Sequence, residues 1–254
     1  MSQQPFEALA VVEWIYFVLA IFTFISLYFI TAPYGRHNRP GWGVQIDATL
    51  GWVLMESVAL LSLPLLVLIS GKALNAVSAV FLTMWCGHYL YRSIVFPFQR
   101  RLYHGKMPLL VMGLAVFHNL LSSYVNGMDV FIGRAPYTGQ WFFSWQFILG
   151  TALFFVGMGI HVHSDSVLLK IQQKNRGYQV PHRGLHRYLA SPNYFGEILQ
   201  WTGWAVATWS VGGALFAFFT FCNLAPRAVS HLRWYRQKFV DYPESRKAII
   251  PGIW

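Results

Sequence analysis

Seven runs of roughly twenty mostly apolar residues recur along this chain, each near the length a helix needs to cross the hydrocarbon core of a bilayer. Inside lipid every backbone N–H and C=O must be satisfied within the spanning structure, so runs of this length are expected to be helical. They fall at about 9–31, 46–69, 74–97, 108–127, 142–169, 193–209 and 211–238. Gly-, Pro- and Asn-containing connectors such as TAPYGRHNRPGWG, SGK and SVGG separate them. Only 11% of residues are charged, against about 25% in soluble domains. The expected fold is therefore an all-α integral membrane protein, a seven-transmembrane-helix bundle forming one membrane domain over 1–254. Cys86 and Cys222 both sit in apolar runs and offer no disulfide or metal framework. The stretch MSQQPFEALAVVEW lacks a basic n-region and carries Glu7 and Glu13, so it reads as the lead into a retained helix.

The net charge of +10 raises nucleic acid as a partner, but the placement of the charges argues against it. Of the 19 basic residues, 17 fall on one side of the seven runs, and only Lys72 and Arg134 fall on the other. By the positive-inside rule the N-terminus is expected outside and the C-terminus in the cytosol. Arg36, Arg100 and Arg101 are explained by topology and attraction to anionic headgroups. The last run differs. Asn223, Arg227, His231, Tyr235 and Lys238 step by four, four, four and three along it, a polar stripe expected to face a cavity or an anionic ligand.

Ionisable groups inside spans cost roughly 2.5–3.5 kcal/mol each on insertion scales, which makes them functional candidates. Glu56 lies in LGWVLMESVALL, with Trp52 one turn before it as a possible pocket wall. His88, Tyr89 and Arg92 lie in WCGHYLYRSIVF, and His161, His163 and Asp165 in GMGIHVHSDSVLL. Asn193 and Glu197 open the sixth run four residues apart, on one helix face. Polar clamping between helices is the competing explanation for these groups. His161 and His163 point about 200° apart on a helix and do not chelate one ion, so no metal is expected. GMGIHV begins like a dinucleotide fingerprint but has Val162 where the third glycine belongs. Any nucleotide must be held by the helical bundle itself.

GMGIHVHSDSVLL, PNYFGEILQWTGWAVATWS and the tail HLRWYRQKFVDYPESRKAIIPGIW resemble the membrane steroid 5α-reductases, the 3-oxo-5α-steroid 4-dehydrogenases. The likeness runs from about Tyr34 onward and is densest after Gly157. It implies an NADPH-dependent reductase of the C4–C5 double bond of 4-ene-3-oxo steroids, a multi-pass protein of the endoplasmic reticulum or a bacterial inner membrane. The active site should open to the cytosol, the steroid should enter from the bilayer, and the chain should be a monomer. Helices 1–4 (about 9–127) should serve mainly the substrate and helices 5–7 with their loops (about 142–254) the cofactor. Carried over by motif, Glu56 and Tyr89 hold the 3-ketone. Arg92, His161, Asp165, Asn193, Glu197, Arg227, His231 and Tyr235 surround NADPH, and Tyr34, Trp52 and Leu224 belong to the steroid pocket. A reductase of another conjugated lipid (sterol, polyprenal or enoyl thioester) and an S-adenosylmethionine-dependent methyltransferase are the alternatives.

The implied chemistry suits these residue types. Hydride addition to the β-carbon of an enone leaves negative charge on the ketone oxygen, where hydrogen-bond donors stabilise it. Tyr89 is such a donor, and Glu56 is expected to donate as a neutral acid beside it.

Overall fold

A computed structural model of the chain describes residues 4–100, 105–133, 136–175, 178–250 and 252. Arg101, Arg134 and Arg176 of the charge pattern, and Pro251, Ile253 and Trp254 of the tail, lie outside the described residues. The apolar runs form helices α1 (Gln4–Phe29), α2 (Ala48–Ile69), α3 (Ala76–Leu90), α4 (Leu109–Asn126), α5 (Trp145–Asn175), α6 (Pro192–Thr208) and α7 (Val211–Lys238). Two of them run on through π turns: α3 through Tyr91–Val95 into Phe96–Arg100, and α4 through Gly127–Ile132. Turns of this kind are rare and gather at functional sites; the one after α3 contains Arg92.

Side chains in the connectors set the helix starts. Asp47 accepts from the Leu50 N–H at 2.9 Å, Asn75 from Ser78 at 2.9 Å, and Ser210 from Gly213 at 3.0 Å. Each satisfies one of the orphan donors of a first turn. Pro192 opens α6, where its missing N–H costs nothing. The link from α6 to α7 is so short that Trp209 adopts a left-handed backbone, φ +46°.

Among the described residues, five helical stretches are long and apolar enough to cross a membrane: Glu7–Phe29, Ala48–Ile69, Leu109–Ile132, Trp145–Lys174 and Val211–Lys238. The α-helical part of α3 has 15 residues and α6 has 17. One feature departs from an all-helical reading: Gln45–Asp47 and Lys106–Pro108 pair as a two-stranded antiparallel ribbon. It ties together the segments leading into α2 and α4, and strands of three residues leave no periodicity to read in a sequence.

The core is aromatic, and three of its indole N–H groups have partners, as buried tryptophans usually find. Trp85 donates to the Ala59 carbonyl at 2.9 Å, and Trp204 to Asn126 Oδ1 at 2.8 Å. Trp141 donates to the Ala207 carbonyl at 3.0 Å. The most intimate contact is α5 against α6. A Cβ on Gly157 would stand 2.3 Å from the Gln200 nitrogen, and one on Gly196 would stand 2.5 Å from the His161 nitrogen. Gly150 against Ala207 and Gly203 against Phe154 repeat the arrangement a heptad further along. The glycines let the two backbones touch, which small residues permit between membrane helices.

Candidate active site

A deep cavity opens among the helices, walled by parts of α2 to α7 and by the α1–α2 connector. The cavity has a volume of about 220 Å³. Eleven of the thirteen site residues that the resemblance implies stand on its wall; His161 and Tyr235 stand behind it.

At the inner part Glu56 is buried and paired: Arg92 Nη2 lies 3.1 Å from its Oε1. The guanidinium also packs over Trp52, 4.7 Å to the ring centre, and over Phe96 at 5.3 Å. The neutral acid expected beside Tyr89 thus has a neighbour that the sequence did not show. It has a cationic partner on one oxygen, and donation to a ketone needs a proton on the other. Tyr89 is buried beside it, its ring 4.9 Å from Trp85 and 5.0 Å from His88.

Asn193 and Glu197 share a face of α6, but each meets α5. Asn193 Nδ2 donates to Asp165 Oδ1 at 3.0 Å. His161 Nε2 lies 3.1 Å from Asp165 Oδ2, and its Nδ1 lies 3.4 Å from Glu197 Oε2. These imidazole contacts are close enough for ion pairing yet off the line of a good hydrogen bond. The glycine contact at Gly157 and Gly196 is what brings the four side chains within reach. One turn along, Gln200 Oε1 meets His88 Nδ1 at 3.2 Å. The sequence reading missed Gln200, although an amide three residues after Glu197 in an apolar helix signals it.

Toward the mouth, Arg227 Nη2 donates to the Tyr194 hydroxyl at 2.7 Å and lies 5.0 Å from the centres of both the Tyr34 and Tyr194 rings. Burial pushes the Tyr34 phenol up to about 12 although Arg227 opposes it, so Tyr34 remains a donor at neutral pH. His231 Nδ1 lies 3.1 Å from Ser191 Oγ, and its ring stacks on His37 at 5.3 Å. Leu224 lines the same wall. Arg36, assigned on sequence to topology and headgroup attraction, also lines the cavity. It is caged by Tyr178, Trp234 and Tyr235 at 5.1, 4.9 and 4.8 Å, with Nη1 left without a hydrogen-bond partner. Nothing in the connector's sequence distinguishes Arg36 from an ordinary topological arginine.

Tyr235 leaves the cavity for a physical reason. Steps of four residues advance about 40° beyond a full turn of α-helix, so three steps from Asn223 carry Tyr235 about 120° around α7. It is buried instead against Tyr242, their rings stacked at 5.2 Å. The tail beyond α7 braces this end of the bundle. Ala190 and Ser191 N–H donate to the Lys247 and Ala248 carbonyls, and buried Arg246 donates to the Pro181 carbonyl at 2.9 Å.

Two connector histidines are held uncharged. Burial, and then repulsion from Arg36, Arg227 and Arg39, brings His37 down to about 4. Burial likewise brings His186 down to about 4, against the opposing pull of its contact with the Ser164 carbonyl at 3.2 Å. An unfolded histidine titrates near 6.5, so below that pH the unfolded connectors bind protons that the folded ones refuse. Their stabilisation is complete above about pH 6.5 and fades as pH falls toward 4. Hydrogen exchange in 31–40 and 182–190 should accelerate over that interval while the cores of α2 and α5 stay protected. Unchanged connector exchange would contradict the burial of both imidazoles.

A model of the family described as 3-oxo-5-alpha-steroid 4-dehydrogenase matches residues 105–254, more than half of the chain. A steroid 5-alpha-reductase DET2 of Gossypium hirsutum is 41% identical over 244 residues, covering 94% of each chain. The 3-oxo-5-alpha-steroid 4-dehydrogenase 1 of Homo sapiens is 39% identical over 225 residues, covering 87% of this chain and 85% of its own. The chain belongs to the steroid 5-alpha-reductase family. Within this 5-alpha-reductase chain the family match takes in the whole α5–α6 network, Arg227 and His231. The alignment over 94% of its length also spans Glu56 and Tyr89, which precede residue 105.

Proposed function

We propose that the chain reduces the C4–C5 double bond of 4-ene-3-oxo steroids to 5α-3-oxo steroids with NADPH, inside this cavity. The observation that carries the reading is the sorting of one continuous cavity. A carboxylate, a phenol and a guanidinium gather at its inner part, and cations and aromatic rings gather at its mouth. Family membership and relatives named as steroid reductases support the substrate class.

The residues at the mouth fit a phosphorylated dinucleotide. Arg36 has a buried Nη1 with no hydrogen-bond partner, and Arg227, Asn223 and His231 line the same cavity. Guanidinium groups bind phosphate oxygens in bidentate fashion. Asn193, Asp165 and Glu197 offer an amide and carboxylate oxygens to a ribose or a carboxamide, with His161 behind them as the bridge. When bound, NADPH supplies a hydride to the β-carbon of the enone. Tyr89 directs its O–H at the ketone oxygen, where negative charge collects. Glu56, carrying a proton on the oxygen turned away from Arg92, is the second donor, and Arg92 adds a positive field close by. Trp52, Tyr34 and Leu224 keep water from the ring system.

We further read the bundle as seven spans, with the N-terminus outside, the C-terminus cytosolic and the mouth opening to the cytosol. The basic-residue asymmetry supports this. The 17 residues of α6 reach the lower limit for a span, about 17 residues. The remaining proposals are a monomer in the endoplasmic reticulum or a bacterial inner membrane, helices 1–4 mainly on the substrate side, and a steroid arriving through the bilayer.

Arg227→Gln tests the cofactor end. Loss of a charged hydrogen bond of about 1.5–3 kcal/mol should raise KM for NADPH roughly tenfold to hundredfold, with the steroid KM little changed. NADH should be the poorer cofactor in the wild type. Equal kcat/KM for NADH and NADPH would refute a 2′-phosphate site at the mouth.

A further inference from the structure

A second opening lies on the outside of the bundle, apart from the reaction cavity. It is a groove between α5 and the 3-10 turn Gly184–Arg187, with a volume of about 600 Å³. Val156 and Ile160 form an apolar floor. Gly159 between them leaves it clear, since a Cβ there would meet nothing within 4 Å. The chemistry changes one turn further along α5. His163 and Arg187 line that end, and both are exposed. Arg187 uses only Nε, donating to the His182 carbonyl at 3.1 Å, and makes no other hydrogen bond among the described residues. Its remaining N–H groups are available to an anion. No carboxylate lines the groove to oppose one.

The depth fits a lipid. From Val156 to His163 the helix rises about 10 Å, and α5 continues to Asn175 beyond the apolar part. His163 and Arg187 therefore stand where the span gives way to the headgroup region. Tyr188, 60% exposed on the same groove, is the residue type that favours this boundary. An apolar trough ending in a guanidinium and an imidazole matches an acyl chain joined to a phosphodiester. We propose that this groove is a binding site for an anionic phospholipid, with its phosphate on Arg187 and His163 and an acyl chain along Val156, Gly159 and Ile160. It rests on the reading of α5 as a membrane span, and not on the steroid assignment.

The site is wired to the reaction cavity through its own turn. Gly184, at φ +58°, lets the turn close on the His163 imidazole; a Cβ there would stand 2.8 Å from Nε2. Two residues later, buried His186 contacts the Ser164 carbonyl, next to Asp165. A lipid seated on Arg187 holds the turn that supports this end of α5.

The test uses the full chain reconstituted in nanodiscs of phosphatidylcholine, with or without phosphatidylglycerol, followed by mass spectrometry of the lipid that stays bound on extraction. Wild type should retain phosphatidylglycerol selectively. Arg187→Glu should retain roughly fivefold less, the factor for a single basic contact at a membrane surface. Gly159→Leu, which fills the trough without altering charge, should also lose retention, and excess inorganic phosphate should not displace the lipid. Lys174→Glu, on an exposed α5 residue outside the groove, should retain as much as wild type. Equal retention in wild type and Arg187→Glu would overturn the site. An equal loss in Lys174→Glu would overturn it too, reducing it to general surface attraction. Displacement by phosphate, or undiminished retention in Gly159→Leu, would remove the acyl chain from the assignment. None of these readouts involves steroid turnover, so failure here leaves the proposed reaction standing.

Discussion

Tyr89→Phe is expected to lower kcat by about 10²–10³ while leaving the steroid dissociation constant within a fewfold of wild type. The substitution removes one hydroxyl from a buried ring whose packing on Trp85 and His88 persists. A donor aimed at developing oxyanion charge is worth roughly 2.7–4 kcal/mol, and it acts more strongly in the transition state than on the neutral ketone. Glu56 separates two possibilities. Glu56→Gln keeps a donor of the same shape and should retain much of the activity. Glu56→Ala should fall as far as Tyr89→Phe and should lose stability as well. Removing the acceptor leaves a buried charged donor unsatisfied, at about 1–3 kcal/mol or more, and the stranded group would be Arg92. Steady-state kinetics with NADPH saturating, beside thermal unfolding in detergent, reads both effects. Wild-type kcat in Glu56→Ala would remove that carboxylate from the mechanism.

Gly157→Leu should abolish the folded enzyme. Even one Cβ would stand 2.3 Å from the Gln200 nitrogen and 2.6 Å from the Gly196 carbonyl oxygen, both backbone atoms with nowhere to move. The helices must separate, and overpacking of this kind costs about 1–3 kcal/mol or more. Separation also breaks the Asp165–Asn193 and His161–Glu197 contacts that span the interface. Gly157→Ala should be a milder version, with a lower melting temperature and a raised KM for NADPH. Gly113→Ala is the control, because nothing lies within 4 Å of that position. There the replacement should be neutral or stabilising by up to about 1 kcal/mol. A fully stable and active Gly157→Leu would contradict the α5–α6 contact.

The long apolar runs made the helices legible, because burial in lipid forces one backbone solution on stretches of that length. Intramembrane ionisable residues led to the cavity for a similar reason: a costly group needs a reason to be there. What stayed hidden depends on partners from distant sequence. Gly157 read as the start of a failed nucleotide fingerprint, whereas its role is to let α6 approach. Arg92 as the ion-pair partner of Glu56 needs two helices in register, and the π turn that contains it has no sequence signature. Arg36 became a cavity residue only because Tyr178 and the Trp234–Tyr235 pair of α7 arrive from two other segments. The α7 stripe was legible for Asn223, Arg227 and His231 and misleading at Tyr235 and Lys238, which do not line the cavity; at Tyr235 helical drift outran the repeat of four.

The central claim is that one cavity joins NADPH to a 4-ene-3-oxo steroid at Glu56 and Tyr89. The most direct measurement is a reaction of the purified chain with NADPH and a 4-ene-3-one, resolving product identity and C5 configuration by mass spectrometry against 5α and 5β standards. The expected result is the 5α-3-oxo steroid, formed together with NADP⁺ and strongly diminished in Tyr89→Phe. An unchanged steroid in the presence of bound NADPH, or a product reduced at the 3-ketone with the double bond intact, would contradict it.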